Sequence, residues 1–222
     1  MSSRAQGPRD ATSRDVACFY SLSSPWAYLA GPQLQDIVRR HRARLVLKPY
    51  DFQAIAPRNG GVPLRTRPEP RRSYHALELD RWSRYLGMPL VAAPKHYRSD
   101  GQPPEWNKLA GWIVIAAQLD CTVSPDDVFA LSHALLRALW AEERDIADAY
   151  TRIAVANECG LDGEALQARE RSPDVQAVYA GNTAEAEQAG VFGAPTFMLE
   201  GERFWGQDRL MFLDRALACR RP

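Results

Sequence analysis

The chain has 222 residues, 45% of them apolar and 25% charged, ordinary values for a globular protein. That length fits one domain, or one domain with a large insertion, and is enough to bury a sizeable core without metals or cross-links. With 28 basic and 27 acidic residues, a formal charge of +1, the chain has no electrostatic footprint for nucleic acid or an anionic membrane surface, and no apolar run reaches the ~20 residues that span a bilayer.

Residues 1–14 are polar and lack the apolar core of a secretory signal, so a disordered tail and a cytoplasmic location are expected. Val16 to Leu22 is a short apolar and aromatic run stopped by Ser23-Ser24-Pro25, and reads as a buried strand. Trp26 to His41 reads as a helix, with Leu29, Gln33, Ile37 and His41 on one stripe and Leu34 and Val38 beside it. The cluster Arg39-Arg40-His41-Arg42 falls in its last turn, where cations complement the dipole. Arg44 to Phe52 alternates and is predicted to be a second strand. Strand, helix, strand over about 35 residues is a βαβ unit with parallel pairing. Pro57 to Pro70 reads as a loop, long enough for an active-site lid or a connection between subdomains.

From Arg71 to Gly190 the period is helical, broken around Gly87–Gln102. Leu109, Trp112, Ile113 and Ala116 form one stripe; Val128, Leu131, Leu135 and Leu139 a second; Ile146, Tyr150, Ile153 and Ala154 a third. Gly160 and Gly190 stop helices. Thr196–Glu200 and Arg203–Trp205 read as a hairpin about Gly201-Glu202, and a last helix is expected over 208–218. The predicted organisation is a tail (1–14), a βαβ half (15–56), a helical insertion (57–190) and a ββα half (191–222).

Cys18, Cys121, Cys159 and Cys219 are far apart and none forms C-x-x-C, which excludes a local zinc knuckle or redox dithiol and leaves them as small buried apolar residues. His41, His75, His96 and His133 show no ligand spacing, so no metal is expected. Glycine-rich phosphate loops are absent. No G-x-S-x-G surrounds Ser24, which argues against a serine hydrolase.

Ser-Pro is an ordinary helix opening, with Ser as cap and Pro at the first helical position, and this chain uses it three times. Ser124-Pro125 is followed by Asp126 and Asp127, and Ser172-Pro173 by Asp174. Each carboxylate there typically stabilises the helix by about 0.3–1 kcal/mol through the dipole. Ser24-Pro25 is followed by Trp26, Ala27 and Tyr28, which supply no anion. An uncompensated helix N-terminus is a ready anion site.

βαβ followed by ββα, with a proline just before the third strand, resembles the thioredoxin fold, and the helical block between the halves resembles the DsbA-type elaboration. Where that family carries C-P-x-C, this chain has Ser24-Pro25-Trp26-Ala27, so both thiols are gone and dithiol oxidoreductase chemistry is disfavoured. The run from Ser23 through Ala30, with Gly190–Phe197 (GVFGAPTF) and Phe204–Leu210 (FWGQDRL), resembles the 2-hydroxychromene-2-carboxylate isomerases and the related kappa-class glutathione transferases, over about Val16 to Leu217. The resemblance implies an α/β, thioredoxin-like fold with glutathione as cofactor. It implies that Ser24 donates a hydrogen bond to the glutathione thiolate, beside Pro25 and Trp26 at the helix start. Pro195 is then expected to be cis, with the Ala194 backbone pairing with the cysteinyl part of the tripeptide. The backbone amides of Gln207 and Asp208 and the Asp208 carboxylate would meet the γ-glutamyl end. Asp208 is also a candidate helix cap.

Lys48, Trp106, Asn107 and Asn182 are candidate substrate residues, each with a packing, capping or surface role as its alternative. Trp26, Tyr28, Trp106 and Trp112 are candidates for an aromatic cavity wall or for core. Asn59 lies near where some relatives carry a glutathione-binding Asn, and Ser21 stands where the usual residue is Asp. The activity implied is glutathione-dependent isomerisation of a small aromatic substrate such as 2-hydroxychromene-2-carboxylate, by reversible thiolate addition. A kappa-type transferase conjugating electrophiles and a non-catalytic binding protein are the alternatives. Relatives of this kind are often dimers, so a homodimer is an expected partner.

Overall fold

The computed structural model describes residues 14–97 and 105–219. The predicted tail therefore lies outside the described residues except for Arg14, whose guanidinium donates to the carbonyls of Ala216 and Leu217. Part of the proline-broken 87–102 stretch also lies outside them.

Four strands form one sheet in the order β2-β1-β3-β4: β1 Asp15–Tyr20, β2 Arg44–Pro49, β3 Thr196–Leu199 and β4 Glu202–Trp205. β1 and β2 are parallel, joined by helix α1 (Pro25–Arg40), so the βαβ unit forms as its sequence pattern dictates. β3 runs antiparallel to β1 with Phe19 opposite Thr196, and β4 antiparallel to β3. The turn between β3 and β4 places Glu200 (φ 50°) and Gly201 (φ 86°) in the left-handed region, the I′ geometry that matches strand twist.

Between β2 and β3 lie α2 (Phe52–Asn59), α3 (Glu69–Leu86), α4 (Trp106–Gln118), α5 (Pro125–Trp140), α6 (Ala149–Glu158), α7 (Gly163–Arg169) and α8 (Pro173–Gln188); α9 (Leu210–Ala218) closes the chain. The DsbA-like thioredoxin fold expected from the sequence is the fold formed. One apolar core runs through both parts, joining Val16 and Phe197 of the sheet to Leu34 of α1, Ile113 of α4 and Leu135 of α5. No described helix is long and apolar enough to cross a membrane.

Several boundaries differ from the sequence reading. The second strand stops at Pro49, because the Asp51 carboxylate accepts from the N–H groups of Gln53 (3.1 Å) and Ala54 (3.2 Å) and caps α2. Residues 57–59, read as loop, lie inside that helix, and Gly60 at φ 77° ends it. The last helix begins at Leu210 after a 3-10 turn, Gln207–Arg209; Asp208 caps nothing and pairs instead with the Arg209 guanidinium. Ser172 makes no side-chain cap: its hydroxyl is taken by Asp174. Of the cysteines only Cys18 is buried; Cys159 is half-buried, and Cys121, in the turn between α4 and α5, and Cys219, at the end of α9, are exposed.

The third predicted apolar stripe is out of phase. Tyr150 is exposed, and α6 buries Arg152, Val155 and Ala156. Arg152 is 2% exposed and grips Glu170, 1% exposed, through Nε (2.8 Å) and Nη2 (2.6 Å), while Nη1 donates to the carbonyls of Ile146 (3.0 Å) and Ala147 (2.8 Å). A charge on the inner face misleads an apolar-periodicity reading about which face of the helix is buried.

His133 of α5 stacks on Tyr28 and Phe129, and its buried Nδ1 has no partner among the described residues. Gly31 is the close approach that admits it: a Cβ there would lie 2.4 Å from Nδ1. Burial, then the nearby Arg137 charge, pushes its pKa down to about 4. In the unfolded chain a histidine titrates near ~6.5. Between these values the unfolded chain binds a proton that the folded protein does not, so stability falls as pH falls, by about 3 kcal/mol across the window at ~1.36 kcal/mol per unit. Denaturant melts from pH 7 to 4 should show this slope, and His133→Phe should flatten it.

Candidate active site

The site lies at one end of the sheet, where β1 gives way to α1. After Tyr20 the chain turns sharply, with Ser24 N–H on the Ser21 carbonyl (2.9 Å), and Ser24 opens α1. Its Oγ accepts from the Ala27 N–H at 3.2 Å, so the predicted cap is made. No acidic residue stands in the first turn of α1, whereas α5 carries Asp126 and Asp127 there and α8 carries Asp174. Pro25 has no N–H, and the Trp26 N–H is one of the orphan donors of a helix start.

The register of β1 and β3 brings the chain just before β3 against this turn. The Ala194–Pro195 bond is cis, as expected. The Ser24 hydroxyl donates to the Ala194 carbonyl at 3.1 Å. Tyr50 Oη and Thr196 Oγ1 fix the Gly193 carbonyl (3.1 and 2.8 Å), and the Pro195 carbonyl takes the Gly206 N–H (2.9 Å). Gly193 is required for packing, because a Cβ would lie 2.1 Å from the Trp205 indole nitrogen.

A cavity of 640 Å³ opens over this junction, within the range of small-molecule sites. Ser24, Pro25, Trp26, Ala194, Gln207 and Asp208 all line it, whereas Pro195, expected with them, does not. Ser21 also borders it and bonds Ser23 through their hydroxyls (2.8 Å). Gln207 is 3% exposed, and both atoms of its side-chain amide lack a partner among the described residues. Buried polar groups are normally paired, so this amide is a further candidate ligand contact that the backbone-based reading of Gln207 overlooks.

Of the four candidate substrate residues only Asn107 lines the cavity. Lys48 points elsewhere: it pairs with Glu185 and lies 5.5 Å from the Phe19 ring centroid. Asn182 is buried against the Pro49 carbonyl (3.1 Å), and Trp106 packs edge-on to Tyr97. Asn59 spends its amide on the carbonyls of Glu187 and Val191. Tyr28 and Trp112 are likewise packing residues: the Tyr28 hydroxyl donates to the Pro89 carbonyl at 3.0 Å, and Trp112 sits edge-on to Tyr179. Trp26 is on the cavity wall. The other aromatic rings there are Phe52, Tyr74, Trp82, Tyr97, Trp140, Phe192 and Trp205, which come from six separated segments.

The opposite wall is α3, read from sequence only as part of a helical block. Arg71, His75, Glu78 and Trp82 face the cavity at helical spacing. His75 Nε2 accepts from the Trp26 indole N–H at 3.0 Å, with the rings edge to face. Burial, then the Arg67 charge, lowers the His75 pKa. Arg67 is itself pushed down by burial and by Arg71; its Nε donates to the Val62 carbonyl at 2.9 Å. Among the described residues Arg67 and Arg71 have no carboxylate partner, so this wall favours an anionic guest. The pairing of His75 with Trp26 joins residues 49 apart, and no spacing rule signals it.

The DSBA-like thioredoxin domain family matches residues 15–218. The 2-hydroxychromene-2-carboxylate isomerase of Sphingobium xenophagum is 30% identical over 206 residues, covering 92% of this chain and 98% of that protein. The enzyme of the same name from Pseudomonas putida is 26% identical over 210 residues, covering 92% and 96%. Among solved structures, a 2-hydroxychromene-2-carboxylate isomerase superposes with a TM-score of 0.76 at 23% identity, over 92% of this chain and 94% of that one. The cytosolic disulfide reductase DsbM from Pseudomonas aeruginosa, solved with GSH, superposes with a TM-score of 0.62 at 21% identity, over 92% of this chain and 100% of that one.

Proposed function

The chain belongs to the DSBA-like thioredoxin domain family and, within it, to the 2-hydroxychromene-2-carboxylate isomerases, and from that premise we propose that it is an isomerase that borrows the thiol of glutathione. The substrate class is 2-hydroxychromene-2-carboxylate and like aromatic catabolites, converted to the open-chain trans-o-hydroxybenzylidenepyruvate. The observation that carries this reading is Ser24: a buried hydroxyl on an acid-free helix start, beside the Ala194 carbonyl, on the wall of an aromatic cavity.

A helix N-terminus lowers thiol pKa values from about 8.5 into the range of roughly 3.5–7.5. This chain places no thiol there, since Ser24 and Ala27 occupy the two positions of a C-P-x-C. Glutathione fills that gap. With the tripeptide laid along the Ala194 strand end, its cysteinyl N–H takes the Ala194 carbonyl as acceptor, in the manner of strand addition. The Ser24 hydroxyl, released from that carbonyl, turns to the sulfur. Gln207 and Asp208 then lie at the γ-glutamyl end, where the Asp208 carboxylate meets the ligand ammonium in a charge-assisted contact.

The chemistry is covalent catalysis. The hemiketal ring would open first, its C2–O bond breaking as the 2-hydroxyl proton passes to the phenolic oxygen and the ketone forms; the bound thiolate would then add to the conjugated double bond, the bond would become single and rotate, and the thiolate would leave. Glutathione is not consumed, which separates this activity from conjugation. The test is a glutathione titration followed by thiolate ultraviolet absorbance, with isomer interconversion and free thiol measured together. Saturable thiolate absorbance near neutral pH and turnover at constant total glutathione are expected. Steady thiol loss would favour the transferase, and absence of binding would leave no role for the tripeptide.

A further inference from the structure

Thiolate addition to an α,β-unsaturated ketone moves charge onto the ketone oxygen, and a site that accelerates it needs a donor aimed at that oxygen. Ser24 is committed to the sulfur and cannot serve both. Across the cavity His75 is placed for the second task. Its Nε2 is occupied by the Trp26 indole N–H at 3.0 Å, and indole only donates. Nε2 is therefore the acceptor nitrogen, and the proton of the neutral ring sits on Nδ1, which has no partner among the described residues. Trp26 lies two residues after Ser24 in the first turn of α1, so one short segment presents the sulfur site and fixes the imidazole.

Resting on the reading of the site as glutathione-dependent, we propose that His75 is its oxyanion donor, its Nδ1–H hydrogen-bonding the substrate ketone oxygen, with Trp26 as the positioning residue that locks the tautomer. The step balances without proton transfer. The C–S bond forms at the carbon β to the ketone, the π pair shifts, and the oxygen becomes an enolate held by Nδ1–H. After rotation the pair returns, the double bond re-forms in the other geometry and the C–S bond breaks.

A neutral imidazole suits this role better than an imidazolium. An imidazolium beside the enolate is acidic enough to protonate it at carbon and trap the glutathione adduct, whereas neutral Nδ1–H stabilises the charge and leaves the thiolate free to depart. Burial, then the Arg67 charge, lowers the His75 pKa and so favours the neutral ring. The other charged groups on this wall are Arg71 and Glu78, the latter engaged by Arg81.

The experiment compares His75→Phe and His75→Asn in the full chain with glutathione and 2-hydroxychromene-2-carboxylate. His75→Phe should lower kcat by about 100- to 1,000-fold, the usual effect of removing one oxyanion donor, with thiolate absorbance of bound glutathione unchanged. His75→Asn, which returns an N–H near the Nδ1 position, should recover part of that loss. Nitrogen NMR of the unaltered protein should show the Nδ1–H tautomer. Wild-type kcat in His75→Phe with glutathione still bound, no recovery in His75→Asn, or an Nε2–H tautomer would each overturn the role of His75 alone. Absence of thiolate absorbance in the unaltered protein would instead remove the glutathione reading and this role with it.

Discussion

Replacing Ser24 by alanine is expected to lower isomerase turnover about 10- to 100-fold while leaving the chain folded. A hydrogen bond to a charged group contributes about 1.5–3 kcal/mol, and each ~1.4 kcal/mol is tenfold in rate. The same loss should appear as a rise of about one to two units in the pKa of bound glutathione, read by thiolate absorbance against pH. The structural cost is separable. Ser24 caps α1 through the Ala27 N–H, and loss of a cap costs about 1 kcal/mol. Thermal melts of S24A and of a control cap variant, S124A, should therefore shift by similar amounts, since Ser124 makes the same bond to the Asp127 N–H. S124A should keep full activity. Unchanged thiol pKa in S24A would end the case for Ser24 as the sulfur's donor.

The largest stability effect is expected far from the cavity. Arg152→Ala should destabilise the fold by about 3–5 kcal/mol, because it strands the Glu170 carboxylate, 1% exposed, without its bidentate partner. The Ile146 and Ala147 carbonyls lose their donors as well. Denaturant unfolding of R152A, E170Q and the double replacement R152M/E170L measures this. The double variant should be more stable than R152A, since exchanging a buried pair for apolar groups of similar volume is often close to neutral. A double variant no better than R152A would mean that the two charges act independently.

Much of this molecule is written in local pattern. The run Val16–Leu22, the stripe on α1 and the alternation from Arg44 give the parallel βαβ unit because strand and helix periods differ and each needs one buried face. The GVFGAPTF and FWGQDRL segments supplied candidate residues by resemblance, and of these Ala194, Gln207 and Asp208 line one cavity with Ser24. The absence of acid after Ser24-Pro25 is likewise visible in a string of letters.

Local pattern also misled. Alternation past Pro49 suggested more strand, but Asp51 sits within reach of two backbone N–H groups and turned the chain into α2. Lys48 and Asn182 are candidate substrate residues by resemblance, yet each finds its partner in another element, Glu185 and the Pro49 carbonyl. The aromatic wall draws on residues from Phe52 to Trp205 that no single window contains.

What the sequence determined by itself is the coarse order of a βαβ half, a helical block and a ββα half, the thiol-free positions Ser24 and Ala27, and the capped helix start that favours an anion, because all of these depend on neighbours within a few residues. What only tertiary structure decided is which side chains surround that helix start. The Ser24–Ala194 contact spans 170 residues and the Trp26–His75 contact 49. Such pairs are set by strand register and by how α3 packs against α1, and packing is a collective outcome of the whole apolar core, with no signature at either residue.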